Sequence, residues 1–294
     1  MKSLLFAIAA TFAFASFADE TPAPAKPKTY AVVAAMGDVM NATHEVVRTG
    51  SHLPPYRHKA LAAPDNILNK LVLAGLDETL AKVDPSSQRI YLAVSVPPAP
   101  TRTTARDTAG LEAVVDYLRP MPERSGWDRV VVATPAYNAL GGDAMPSRVQ
   151  GFGVFMQPLC QSLSGACGMN SIGKFGDGQY GGPGETVQTP EGQTIKANQF
   201  VAPYVYLKIW ILDPRTLEVI DSQEVFEYQK LWNPKADSLD LSEVIPKRVL
   251  AQRIVELASM ATEEAVKRTE LRGTVEVKEK GEVREKAEVK DKAK

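Results

Sequence analysis

Two apolar stretches open the chain, and they have different characters. Leu4 to Ala15 is an apolar run broken only by Thr11, whereas Tyr30 to Met36 carries paired valines and ends at Gly37-Asp38. A short apolar run closed by turn formers predicts a strand. Downstream, Leu68, Leu71, Val72, Gly75, Leu76, Leu80 and Val83 recur at helical spacing. Asp65 stands where an N-cap is expected, and Asp84-Pro85-Ser86-Ser87 breaks the helix. Ile90 to Val96 predicts a second strand, closed by Pro97 and Pro98. A shorter helix over Gly110 to Leu118 follows, then a third strand from Arg129 to Thr134, stopped by Pro135. Strands alternating with amphipathic helices imply parallel crossover units.

The second half reads differently. Gly151 to Met156 predicts a strand, but residues 150–195 hold eleven of the chain's 20 glycines, so a loop excursion is expected over about 157–198. Two long strands follow, Tyr204 to Leu212 and Glu218 to Tyr228, joined by the turn Asp213-Pro214-Arg215-Thr216. In the first, Val205, Leu207, Ile209 and Ile211 point one way, and Tyr204, Tyr206, Lys208 and Trp210 the other. That alternation predicts an antiparallel hairpin with one apolar face and one partly wet. After Pro246, Leu250, Ile254, Leu257, Ala261 and Ala265 form a helical stripe. The expected fold is α/β, a single domain over roughly residues 29–270. Its mixed sheet has crossover units in the first half, a hairpin at about 204–228, and a C-terminal covering helix.

The ends have their own signatures. Lys2, the apolar run and Ser16-Phe17-Ala18 form the three parts of a signal peptide, with cleavage expected after Ala18. The run is shorter than the ~20 residues that a spanning helix needs. Residues 19–28 are a Pro/Ala/Lys linker. At the other end EVKEKG, EVREKA and EVKDKA repeat every six residues from Glu276. A six-residue period aligns no apolar seam on a helix, so residues 274–294 read as a solvated, disordered tail.

Composition and charge narrow the function. A net charge of −1 lacks the basic footprint of a nucleic-acid binder. Cys160 and Cys167 are the only cysteines, and in an exported chain an even pair reads as a disulfide. Phe175 and Tyr180 within the glycine-rich excursion suggest a contact surface, since solvated linkers seldom carry aromatics.

The catalytic motifs are incomplete. Asp38 ends the first strand, where α/β enzymes often place a functional group. Gly37-Asp38 resembles the opening block of SGNH-type hydrolases, but Val39 stands where that family has its serine. It also resembles metallophosphoesterases, without their Asp-x-His or Gly-Asn-His motifs. His44-Glu45 begins like a zincin helix, yet Arg48 occupies the second histidine position. His44, His52 and His58 therefore read as separate exposed side chains in a loop or hairpin, with no metal set. Gly168 to Lys174 matches a P-loop except that Phe175 replaces the Ser/Thr that would hold magnesium. Ser171 lies one residue out of register with a nucleophile elbow. Asp177 and Glu185 lack calcium-loop spacing.

These patterns imply a soluble periplasmic protein acting as a binding or envelope-assembly accessory, with no cofactor. Its partner would be another envelope protein or a small ligand. The alternative is a periplasmic esterase or phosphatase using Asp38 and the His44–His58 segment.

Overall fold

The computed structural model describes residues 26–45, 56–96, 103–139, 148–158, 186–188, 192–196, 199–232 and 240–272. The first half contains β1 (Thr29–Ala34), β2 (Val39–Glu45), β3 (Tyr56–Ala62), α1 (Ile67–Val83), β4 (Gln88–Ala93) and α2 (Thr103–Leu118). Next come β5 (Arg129–Pro135), β6 (Tyr137–Ala139), β7 (Arg148–Pro158), β8 (Thr186–Gln188) and β9 (Thr194–Lys196). The last elements are β10 (Gln199–Leu212), β11 (Val219–Tyr228), β12 (Leu231–Trp232), α3 (Leu241–Val244) and α4 (Lys247–Arg268).

The sheet is built from long lanes, and β10 is its spine. The C-terminal half of β10 pairs antiparallel with β5, from Leu207 opposite Pro135 to Leu212 opposite Val130. Its N-terminal half pairs on the same edge with β7, from Tyr206 opposite Gly151 to Gln199 opposite Pro158. β5 and β7 are thus one lane, interrupted by the β6–β7 hairpin, whose register runs from Tyr137 opposite Gln150 to Ala139 opposite Arg148. β1 runs parallel to β5, and β2 runs parallel to β7, so β1 and β2 form a second lane. On the far edge of β10, β11 and then β12 make a third. β4 flanks β1 in parallel and β3 flanks β2 antiparallel.

The two crossovers explain the layers. The chain moves from β1 to β4 on one side, then returns across β1 to β5 on the other. Right-handed connections that reverse direction put their helices on opposite faces. Accordingly Tyr30, Val32 and Ala34 pack under α1 and α4, while Ala31, Val33 and Ala35 pack under α2. Such a strand is apolar on both faces, as its continuous run of hydrophobic residues requires. α1 and α4 meet closely, because a Cβ at Gly75 would lie 2.4 Å from Thr262 Oγ1. α3 closes a smaller core of Ala42, Val154, Met156 and Val201, and the Asp240 carboxylate caps it through the Ser242 amide at 3.0 Å.

Several expectations change. Asp65 does not cap α1: Asp65 and Asn66 have φ of 62° and 55°, and the first helical turn receives no side-chain hydrogen bond. Asx residues tolerate this left-handed conformation, so they turn the chain here instead of capping it. α2 begins at Thr103, more than a turn before Gly110, through polar residues that carry no apolar period. The glycine-rich excursion contains β8 and β9, an antiparallel pair whose β8 reaches β12. The expected wet face of the hairpin is absent in β10, which is buried from Val201 to Leu212 except at Lys208. β10 lies inside the sheet, with α2 over Trp210 and aromatic rings packed on one another at Tyr204 and Tyr206.

Candidate functional site

The residues singled out in the first half do not converge. Asp38 is exposed in the bend between β1 and β2, where its carbonyl accepts the Ala63 amide at 2.7 Å. Past this bend the lane of β1 runs on as β2. His44 lies six residues further along extended chain, about 20 Å away. Contrary to expectation it is not exposed but only 6% accessible, and it shares a face of β2 with Ala42, which lies in the small core closed by α3. His58 stands opposite Thr43, with its Nδ1 3.4 Å from the Thr43 hydroxyl, while His44 stands opposite Arg57. Neighbouring residues alternate faces in a strand, so His44 and His58 project from opposite sides of the ribbon. A single metal ion cannot take both. His52, Ser171, Asp177 and Glu185 lie outside the described residues, as do Cys160, Cys167, Phe175 and Tyr180.

A different constellation forms on β10 and β11. Their register sets Tyr204 opposite Tyr228, Tyr206 opposite Phe226, Lys208 opposite Glu224 and Trp210 opposite Ser222. On the other edge of β10 the same residues face Gly153, Gly151, Thr134 and Val132. The two tyrosines therefore stand beside two glycines. A Cβ at Gly153 would lie 2.3 Å from the Tyr204 hydroxyl and 2.3 Å from the Asn41 carbonyl, so only glycine leaves space for this ring. Phe226 is central to the row. Its centroid is 5.8 Å from Tyr204, 5.2 Å from Tyr206 in an edge-to-face arrangement, and 5.5 Å from Tyr228. Such geometry matches the quadrupole preference of aromatic rings and adds to their burial.

Polar groups border the row. The Tyr206 hydroxyl donates to the exposed Glu224 carboxylate. Lys208 places its ammonium 4.1 Å from the Trp210 ring centre, and the Trp210 indole N–H donates to Thr134 Oγ1 at 2.9 Å. Burial drives the Tyr204 phenol well above its ordinary pKa, against an opposing pull from the Gln150 backbone, so it stays protonated as a neutral ring. Tyr204 and Tyr206 are fully buried, so the row turns outward only half-buried Phe226 and Tyr228, with the Glu224 carboxylate and the Lys208 ammonium at its margin. Its signal in the sequence was the matched alternation of Gly151-x-Gly153, Tyr204-x-Tyr206 and Phe226-x-Tyr228. One strand read alone does not reveal the register that joins them.

Among the described residues, no helix is long and apolar enough to cross a membrane. No family model matches the chain, and no curated protein matches it. Solved structures with a remote likeness include protein XCC0632 of Xanthomonas campestris, from family DUF330. It is 9% identical, with a TM-score of 0.31 over 84% of this chain and 88% of that one. A putative neuraminyllactose-binding hemagglutinin homolog from Helicobacter pylori is also 9% identical, with a TM-score of 0.31 over 81% and 84%.

Proposed function

We propose that this chain is an exported binding protein of the bacterial envelope that acts by contact and not by catalysis. The aromatic row on β10 and β11 carries the reading. Half-buried Phe226 and Tyr228 line the strand, and among the described residues β11 pairs with no strand besides β10. An edge strand with aromatic side chains on one face suits a partner that adds a strand of its own. Glu224, exposed on the face of the row, sets like charges against a second copy and favours a basic partner strand. Export follows from the signal-type residues 1–18, and Phe175 and Tyr180 would extend the contact surface.

The test is Phe226→Ala combined with Tyr228→Ala in the full chain, expressed in its host and treated with a short cross-linker. The reading expects loss of a discrete cross-linked complex from a variant that remains folded by circular dichroism, its melting temperature lowered by the lost ring contacts. A complex that persists undiminished would overturn it. The hydrolase alternative is separated by Asp38→Asn: an esterase or phosphatase activity of the purified protein that this substitution abolishes would favour the enzyme.

A further inference from the structure

Beyond the C-terminal end of β10, three arginines converge on a cavity that the binding face does not use. The turn after α2 and the β10–β11 turn border an open hollow of about 270 Å³, in which Arg119, Arg124 and Arg215 stand among Pro120, Met121, Pro122 and Ser125. That is just under the ~300–1,000 Å³ of pockets that enclose a drug-sized ligand, so it suits a single small group. Two separate segments bring these charges together, since Arg124 and Arg215 lie 91 residues apart in sequence.

The guanidiniums are oriented but poorly neutralised. Arg124 is half-buried, and its Nη1 donates to the Pro214 carbonyl at 2.7 Å and also to the Arg215 carbonyl. Neutral carbonyls hold the fork in place without cancelling its charge. Among the described residues the rest of that fork makes no hydrogen bond, so it is available to an incoming oxygen. Arg119 pairs with Asp116 at 2.8 Å, but the side chains are 67% and 69% exposed, where an ion pair contributes little and exchanges readily. Arg215 makes no close ion pair among the described residues, though the Thr216 and Arg215 amides, and after them charges that include its own guanidinium, hold the Asp213 carboxyl below its ordinary pKa. The nearby Asp213 carboxylate accepts from the Arg215 and Thr216 amides at 2.7 and 2.9 Å, which holds it to its own turn.

We infer that this cavity binds a phosphate group, free or carried on the headgroup of an anionic lipid. Guanidinium forks engage phosphate oxygens in pairs. Three forks around one space can meet three oxygens and a double negative charge, more than a carboxylate presents. The site lies apart from Phe226 and Tyr228, so it stands or falls independently of the binding face.

The experiment uses the full chain and titrates inorganic phosphate by calorimetry at low ionic strength. Sedimentation with phosphatidylglycerol or phosphatidylcholine vesicles runs in parallel. The double variant Arg119→Gln with Arg215→Gln removes two exposed charges and leaves the Arg124 tie, so its melting curve should match that of the parent. Saturable phosphate binding, weakened at least about tenfold in this variant, is expected for a site that takes the free ion. Sedimentation with phosphatidylglycerol alone, lost in the variant, assigns the same site to a headgroup. Binding of neither, or binding that the variant leaves unchanged, would overturn the proposal.

Discussion

The contact between α1 and α4 makes a prediction whose sign depends on its neighbour. In a helix interior, Gly→Ala ordinarily stabilises by about 1 kcal/mol, because glycine is the more flexible residue. At Gly75 the added Cβ would lie 2.4 Å from Thr262 Oγ1, 3.3 Å from its Cγ2 and 3.4 Å from its Cβ. Thr262 has little room to withdraw. It is fully buried, and its hydroxyl donates to the carbonyls of Ala258 and Ser259, both at 2.9 Å. Overpacking of this kind costs about 1–3 kcal/mol. Gly75→Ala should therefore lower stability by up to about 2 kcal/mol net in the native background. In a Thr262→Ala background the obstructing atoms are gone, and the same substitution should raise stability by about 0.5–1 kcal/mol. Urea unfolding followed by circular dichroism supplies the four midpoints of the cycle. An equal effect of Gly75→Ala in both backgrounds would refute the packing argument.

Two further outcomes follow from single residues. Burial, then the neighbouring Glu264, raises the Glu227 pKa against the opposing charge of Arg268, so the folded chain holds this proton to higher pH than the unfolded chain. Stability is then lost as pH rises from the ordinary carboxylate range through that raised value. Glu227→Gln should match the parent below that window and exceed it at neutral pH, as urea midpoints at the two conditions would show. For Cys160 and Cys167, an exported chain should yield a disulfide-linked peptide on unreduced mass spectrometry, and free thiols in protein taken from the periplasm would exclude it.

The legible parts of this fold were those written locally. Tyr30 to Met36 and Arg129 to Thr134 announce strands by short apolar runs, and the stripe through Ile254, Leu257 and Ala261 announces α4. What the sequence hides is how distant strands continue one another. Nothing near Gly37 reveals that the lane runs past it into β2, so Asp38 reads as a strand-end group when it occupies a bend in a longer lane. His44 reads as exposed because the small core on its face of β2, marked by Ala42, is assembled from distant strands and α3. The aromatic row needed both the parity of Tyr204 and Tyr206, which was visible, and their register against Gly153, Gly151 and Phe226, which was not. The cavity of arginines depends on a contact between residues 124 and 215 that no local pattern encodes.

The claim that β11 meets a partner through its aromatic face is tested most directly by strand parity. Val225 packs beneath α1 and α4, so odd-numbered neighbours share that covered face, whereas Phe226 and Tyr228 mark the even face. A photo-crosslinking residue would be placed in the full chain at 223, 224, 227 and 228 in turn, and adducts recovered from intact cells. The account predicts one discrete adduct from positions 224 and 228 and none from 223 and 227. Equal labelling at all four positions, or adducts from the odd positions alone, would contradict it.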